Sequence, residues 1–232
     1  MRVRVMLATE PGKPDWPNED FAAVTPGAAV LLDGVTCPDG ADTGCVHDVA
    51  WYARMLGGAL LAAITADPPA PLRTALAAAI TEVRALHGHT CDLANPATPR
   101  STVTAVRAGP AGFDVLALGD SSFAADYADG RPPFILTDTQ RGAAASTDAA
   151  DRARTQTLPG DGLRGVALLS DGATRITDIY GLATWPDMLA VIREQGPAEL
   201  IRQVRAAEAS DPDQVRWPRG KLNDDTTVVY WH

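Results

Sequence analysis

Cysteine is scarce in this chain. Its three cysteines, Cys37, Cys45 and Cys91, are odd in number and irregular in spacing, which argues against a disulfide framework or a zinc ribbon. A Cys37–Cys45 bridge stays open as a pairing. Positive charge is also in the minority, with 20 Lys and Arg against 29 Asp and Glu and a net charge of −9. A nucleic-acid binder needs a basic face to neutralise phosphates, so that class is disfavoured. Lysine in particular is rare beside many Ala, Arg, Asp, Gly and Pro, a pattern of G- and C-rich coding that carries no functional meaning. No apolar run reads as a membrane span, because the best apolar helix, near Trp51 to Ile64, is interrupted by Arg54 and is too short. Met1 to Leu7 alternates polar and apolar residues and lacks the apolar core of a signal peptide. There is no glycine-rich phosphate loop, tandem repeat or low-complexity tail. The expectation is one domain over residues 1–232, cytoplasmic and monomeric, with no membrane or nucleic-acid partner. An apolar fraction of 46% suffices for a sizeable core.

What is present is a series of short strands and amphipathic helices. Period-two patterning predicts a first strand over Arg2 to Ala8. Phe21 to Val24 and Ala28 to Leu32 form a strand pair around the turn Thr25-Pro26-Gly27. A long helix is expected from about Gly44 to Ala66, with Tyr52, Leu56, Leu60 and Ile64 on one face, and a second from about Pro71 to His87. Three strands follow, Ser101 to Arg107, Phe113 to Leu118 and Ser122 to Tyr127, read as an antiparallel meander, with Phe134 to Leu136 as a further short strand. Gly142 to Asp161 carries a helix over about Asp148 to Thr155. Then come a buried strand at Val166 to Leu169, helices near 174–182, 185–195 and 197–209, and a final strand, Thr226 to Trp231. Grouped helices and antiparallel strands give an α+β class with layered packing.

Acidic residues recur where these strands end. Ala28 to Leu32 runs into Asp33-Gly34, Phe113 to Leu118 into Gly119-Asp120, and Val166 to Leu169 into Ser170-Asp171-Gly172. Glu19, Asp20, Asp224 and Asp225 also flank strands. Each Asp-Gly alone is a common turn. Gathered together, ionised carboxylates repel one another unless a cation neutralises them, so the set points to hard, oxygen-coordinated divalent ions.

Five motifs in order extend this reading: Asn18-Glu19-Asp20; Leu32-Asp33-Gly34; Ser101-Thr102-Val103-Thr104 with Leu118-Gly119-Asp120-Ser121; Leu169-Ser170-Asp171-Gly172; and Asn223-Asp224-Asp225-Thr226-Thr227. With these the chain resembles the bacterial type of the metal-dependent type-2C serine/threonine protein phosphatases, the PPM family. The resemblance implies a four-layer α-β-β-α sandwich, with a central antiparallel β-sandwich flanked by helices. It also implies two Mn²⁺ or Mg²⁺ ions, with a third at a weaker site. Asp33 would bridge the ions, Gly34 would bind through its carbonyl, and Asp171 and Asp224 would complete the set. Glu19 and Asp20 would act through bound water, and Asp120 would serve the third ion. The implied reaction is hydrolysis of phosphoserine or phosphothreonine in substrates of a Ser/Thr kinase, by a water bridged between two metal ions.

Two positions depart from the family pattern. The Arg expected five residues before Asp20 to grip phosphate is Asp15, which leaves Lys13 as the nearby basic residue and Arg2, Arg4 or Arg175 as substitutes. The His proposed in many members as general acid is absent after Asp33-Gly34, and His47 is the nearest replacement. Asp15 leaves one alternative, a pseudophosphatase acting as a regulatory binding module, and the unusual Val35 to His47 segment beside the site leaves another, a phosphatase for a small phosphorylated metabolite. His87, His89 and Cys91 lack a fourth partner and are read as loop residues rather than a zinc site. Trp185, Trp217 and Trp231 are read as packing residues, and the Arg-rich stretch from Ile201 to Glu208 as a solvated face.

Overall fold

The computed structural model describes residues 4–37, 40–110, 112–138 and 143–232. Arg2, the expected start of the first strand, lies outside these residues, as do 38–39 of the loop after Asp33. Two five-stranded sheets face one another. One carries, in spatial order, β1 (Val5–Glu10), β10 (Thr226–Trp231), β9 (Leu163–Leu169), β6 (Ser122–Tyr127) and β7 (Phe134–Leu136). The other carries β2 (Phe21–Thr25), β3 (Ala28–Leu32), β4 (Val103–Gly109), β5 (Gly112–Leu118) and β8 (Arg154–Pro159). All pairings between these strands are antiparallel.

Alternation along each strand sends side chains to both faces, and both faces are covered. Leu31, Val106, Val115, Phe123, Leu168 and Val229 fill the space between the sheets. The opposite face of the β3 sheet, with Val30, Leu32 and Leu116, packs on α1 (Val49–Ala66) and α2 (Leu72–His87). The opposite face of the β10 sheet, with Ala167, Leu169 and Tyr230, packs on α4 (Asp171–Asp178), α5 (Trp185–Gln195) and α6 (Pro197–Ala209). The layering is α-β-β-α, as expected. β3 is buried along its whole length because it lies inside its sheet with helices behind it and the second sheet in front.

Three expectations are corrected. The proposed meander is split: β4 pairs with β5, but β6 pairs with β9 and β7 in the other sheet. The chain changes sheets at Gly119-Asp120-Ser121, where Gly119 has φ 89°, and this corner carries Asp120. The helix expected over Asp148 to Thr155 shrinks to α3 (Ala149–Arg152), and β8 follows it as an edge strand paired with β5. The polar and mostly exposed residues of β8 hide it from a hydrophobic pattern. The first long helix starts at Val49, not Gly44, because Asp48 caps it by accepting the Trp51 N–H at 2.6 Å. Its 18 residues have a mean hydropathy of 1.4, enough by length and composition alone to cross a membrane. Tyr52, Leu56, Leu60 and Ile64 are nevertheless packed in the core beneath β3, which makes α1 an internal helix.

Leu56 is fully buried at this α1–sheet contact. Leu56→Ala should lower unfolding free energy by about 2–5 kcal/mol, read as a reduced urea midpoint with an unchanged m-value.

Candidate active site

One end of the sandwich gathers carboxylates from both sheets. Asp33 follows β3, Asp120 sits at the corner between β5 and β6, Asp171 begins α4 directly after β9, and Asp224 precedes β10. All four line one open cleft, together with Gly34, Thr102, Arg175 and Lys221. Asp20, just before β2, is buried beside them. Its two carboxylate oxygens are buried and have no hydrogen-bond partner among the described residues.

Close backbone packing holds this arrangement. The Gly34 N–H donates to the Glu19 carbonyl at 3.2 Å, and the Thr102 N–H donates to the Asp33 carbonyl at 2.8 Å. A Cβ on Gly34 would lie 2.5 Å from Val49 Cγ1 and 2.8 Å from Glu19 Cβ, so glycine is required there by space. Likewise, a Cβ on Gly172 would lie 2.1 Å from the Asp225 carbonyl oxygen. Asp225 is an organiser of this end. Its two carboxylate oxygens accept the Gly12 N–H at 2.7 Å and the Glu19 N–H at 2.6 Å, which fixes the segment carrying Glu19 and Asp20. The Glu19 side chain in turn accepts a hydrogen bond from the Thr36 hydroxyl.

The electrostatics are those of a crowded acidic site. Burial pushes Asp33 well above the usual carboxylate range, and the charges of Asp20, Asp171, Asp224 and Asp120 add to the shift. Burial raises Asp20 to about 8 against the lowering influence of the nearby Thr227 and Ser170 hydroxyls, and the charges of Asp225 and Asp171 add to the rise. Burial and then Asp224 and Asp120 raise Asp171 to about 6. Glu19 is raised by burial as well. Asp224 has protein cations beside it: Arg175 donates to its Oδ2 at 2.5 Å and Lys221 to its Oδ1 at 2.7 Å. A set of buried hard oxygens, two of them with no hydrogen-bond partner among the described residues, fits divalent ions such as Mg²⁺ or Mn²⁺.

The basic residues do not fall where the sequence suggested. Arg175 is buried between Asp224 and Glu208, so its guanidinium is engaged in an internal network and not offered to a phosphate. Arg4 pairs with His232, at the end of β1 opposite Glu10 and Thr226 and therefore at the far end of the sheet. Asp15 is exposed in the loop before β2. Lys13 is exposed and lies 5.6 Å from the Trp16 ring centroid. The residue that sequence reasoning missed is Lys221. It lines the carboxylate cleft and also the adjoining cavity that holds Lys13 and Glu19. Lys13 and Lys221 are the only two lysines in the chain, and that rarity was the signal available in the sequence; the structure brings both to one cavity. Arg205 was missed too. The stretch from Ile201 to Glu208 is not simply a solvated face, since Arg205 donates to the Asp224 carbonyl at 2.9 Å and to Glu208 at 2.7 Å.

His47 does not lie in the carboxylate cleft. Its Nδ1 is 3.6 Å from Cys91 Sγ and 3.7 Å from Cys45 Sγ, which removes the case for it as a general acid. Cys45 lies against Cys91, and Cys37 instead faces the Ala97 carbonyl at 3.4 Å, so the Cys37–Cys45 bridge is not formed.

A family model described as protein phosphatase 2C matches residues 13–209. The chain belongs to the protein phosphatase 2C family. Members are metal-dependent protein serine/threonine phosphatases that act on phosphoproteins, and this chain is an enzyme of that kind. Comparison with curated proteins finds no match. Among solved structures, the chain is similar to the serine/threonine phosphatase PstP of Mycobacterium tuberculosis, with 15% identity, TM-score 0.66, and 99% of this chain and 97% of that one covered. It is similar to PppA of Pseudomonas aeruginosa, described as a key regulatory component of T6SS, with 18% identity, TM-score 0.66, and 100% and 98% covered. Stp1 of Staphylococcus aureus, a serine/threonine phosphatase, matches with 12% identity, TM-score 0.68, and 100% and 95% covered. At these identities the structural likeness concerns the fold.

The raised carboxylates set a pH dependence for the metal-free phosphatase. A carboxylate with a folded pKa above its unfolded value binds extra protons when folded, so stability falls as pH rises from about 4 towards 8. Without divalent ions, the melting temperature should therefore drop between pH 5.5 and pH 8. Saturating Mn²⁺ should flatten or reverse the slope, as followed by thermal scans with and without a chelator.

Proposed function

We propose that the carboxylate cleft hydrolyses phosphoserine and phosphothreonine in proteins modified by a Ser/Thr kinase, with two Mn²⁺ or Mg²⁺ ions as cofactors. The observation that carries this reading is the burial of Asp20 beside Asp33, Asp171 and Asp224, with both Asp20 carboxylate oxygens lacking a partner among the described residues. Asp33, the Gly34 carbonyl, Asp171 and Asp224 would hold the two ions, and Asp120 a third. When bound, the ions supply positive charge at the phosphoryl group and a more acidic water. Asp20, buried beside the cleft, and Glu19, which lines the adjoining cavity, would act through bound water. Asp225 keeps both in place by holding the Glu19 backbone. Lys221, at the open side of the cleft and paired with Asp224, supplies the positive charge that attracts the substrate phosphate, a role that Asp15 cannot fill. Lys13 extends the same positive edge.

Hydrolysis of a phosphothreonine peptide with Mn²⁺ or Mg²⁺ tests the reading. Asp33→Asn should lose at least about 10²-fold in kcat, and a wild-type rate no higher than that of this variant would overturn it. Lys221→Ala should raise KM for the phosphopeptide by about 10-fold or more, with a smaller effect from Lys13→Ala. An unchanged KM in Lys221→Ala would remove the phosphate-attracting role.

A further inference from the structure

Away from the carboxylate cleft, four metal-binding side chains converge from two separate segments. Cys45 and His47 lie in the loop just before the α1 cap at Asp48; His87 is the last residue of α2, and Cys91 follows it. One ligand atom from each of the four lies within 4.8 Å of the other three. None of the four lines the cleft of Asp33 and Asp171. His89, which the sequence grouped with His87 and Cys91, is exposed; the partners it appeared to lack come from Cys45 and His47, distant in sequence.

We propose that Cys45, His47, His87 and Cys91 hold a structural zinc ion. Zinc with two thiolates and two imidazoles is tetrahedral, with Zn–S of about 2.3 Å and Zn–N of about 2.0 Å, which places adjacent sulfur and nitrogen ligands about 3.5 Å apart. The observed Sγ···Nδ1 separations are 3.4 Å for Cys45–His87, 3.7 Å for Cys45–His47 and 3.6 Å for Cys91–His47. The two sulfurs are 2.9 Å apart and unbonded, and would open by about 1 Å to span a tetrahedral edge. Two thiolates balance the charge of Zn²⁺, and four protein ligands leave no open position, the pattern of a structural rather than a catalytic ion. The surroundings suit a closed site. The Trp51 ring stacks on His47 at 3.9 Å and lies 5.3 Å from His87. His87 is buried, with its Nδ1 towards Cys45 and its Nε2 without a partner among the described residues. Packing alone gives such an imidazole no reason to be there.

The two segments already meet through the backbone. The Asp92 N–H donates to the Gly44 carbonyl at 2.7 Å, and the Cys91 N–H to the His87 carbonyl at 3.0 Å. Asn95 Nδ2 reaches the Asp42 carbonyl at 3.0 Å. Zinc at this junction would fix the C-terminal end of α2 to the loop that enters α1. The soft sulfur and nitrogen donors select zinc, whereas the hard oxygens of the carboxylate cleft select Mg²⁺ or Mn²⁺, so the two centres sort their metals by ligand chemistry.

The test is the metal content of the tag-free full chain, purified under reducing conditions and measured by elemental analysis and intact mass. One zinc per chain is expected, retained in Asp33→Asn and absent from the Cys45→Ser/Cys91→Ser double variant. The double variant should also melt lower by on the order of 5 °C or more. Cobalt replacement in the wild-type chain gives a second readout that does not depend on that variant folding: visible bands of tetrahedral Co²⁺ with a sulfur-to-cobalt charge-transfer band are expected. The proposal is overturned by wild-type protein that takes up no zinc on refolding with it, by zinc that survives in the double variant, or by a mass two hydrogens lighter that maps to a Cys45–Cys91 disulfide.

Discussion

Mutual repulsion among carboxylates held at one end of the sandwich is the constraint around which this phosphatase is built. Burial alone makes an ionised Asp expensive, and Asp33 has four others close enough to raise it further. The fold offsets this in two ways. Asp224 receives Arg175 and Lys221, and Arg175 is itself held by the fully buried Glu208. Glu208 is shared with Arg205, which also binds the Asp224 carbonyl. This chain of alternating charge runs from α6 through α4 to the loop before β10. Its members are hydrogen-bonded on several sides, the condition under which buried ion pairs are tolerated. Asp20 and Asp33 form no ion pair among the described residues, and that is where divalent ions fit.

The strand order explains how carboxylates so distant in sequence meet. β3 and β9 lie inside different sheets, and the sheets face one another, so residues leaving the same end of each strand face the same space. The corner at Gly119 moves the chain from one sheet to the other at that end and brings Asp120 to the rim. Asp225 then acts as a clasp, drawing the segment of Gly12 and Glu19 against the start of β10. Gly34 and Gly172 complete the closure because any side chain there would occupy space already filled by Glu19, Val49 or Asp225.

Much of this was legible in the sequence where local chemistry and tertiary role agree. β3 is an apolar run that ends in Asp-Gly, and it is buried because both of its faces are covered; the α1 stripe of Tyr52, Leu56, Leu60 and Ile64 is likewise an ordinary core face. Reading failed where a residue's partner is remote. β8 is a strand because β5 offers it an edge, and its own residues are polar. β6 looked like a meander partner of β5 because adjacency in sequence says nothing of which sheet receives a strand. Arg175 looked available for phosphate until Glu208, from α6, and Asp224 claimed it. The His87 and Cys91 pair looked incomplete because its partners precede α1.

The segment between Asp33 and α1 meets the rest of the fold near both of its ends. The chain leaving Asp33-Gly34 is anchored first at the cleft, where the Thr36 hydroxyl meets Glu19 and the Val35 N–H meets the Arg100 carbonyl. It is anchored again at Cys45 and His47, against α2, before α1 begins. Thr36 and Cys37 line both cavities that border Glu19, and Val46 and His47 line one of the two. The junction of Cys45, His47, His87 and Cys91 stands outside the carboxylate cleft, and His47 lines a cavity that Glu19 and Thr36 also line. Loosening it would act first on stability, through the backbone contacts that hold the end of α2 against the loop entering α1.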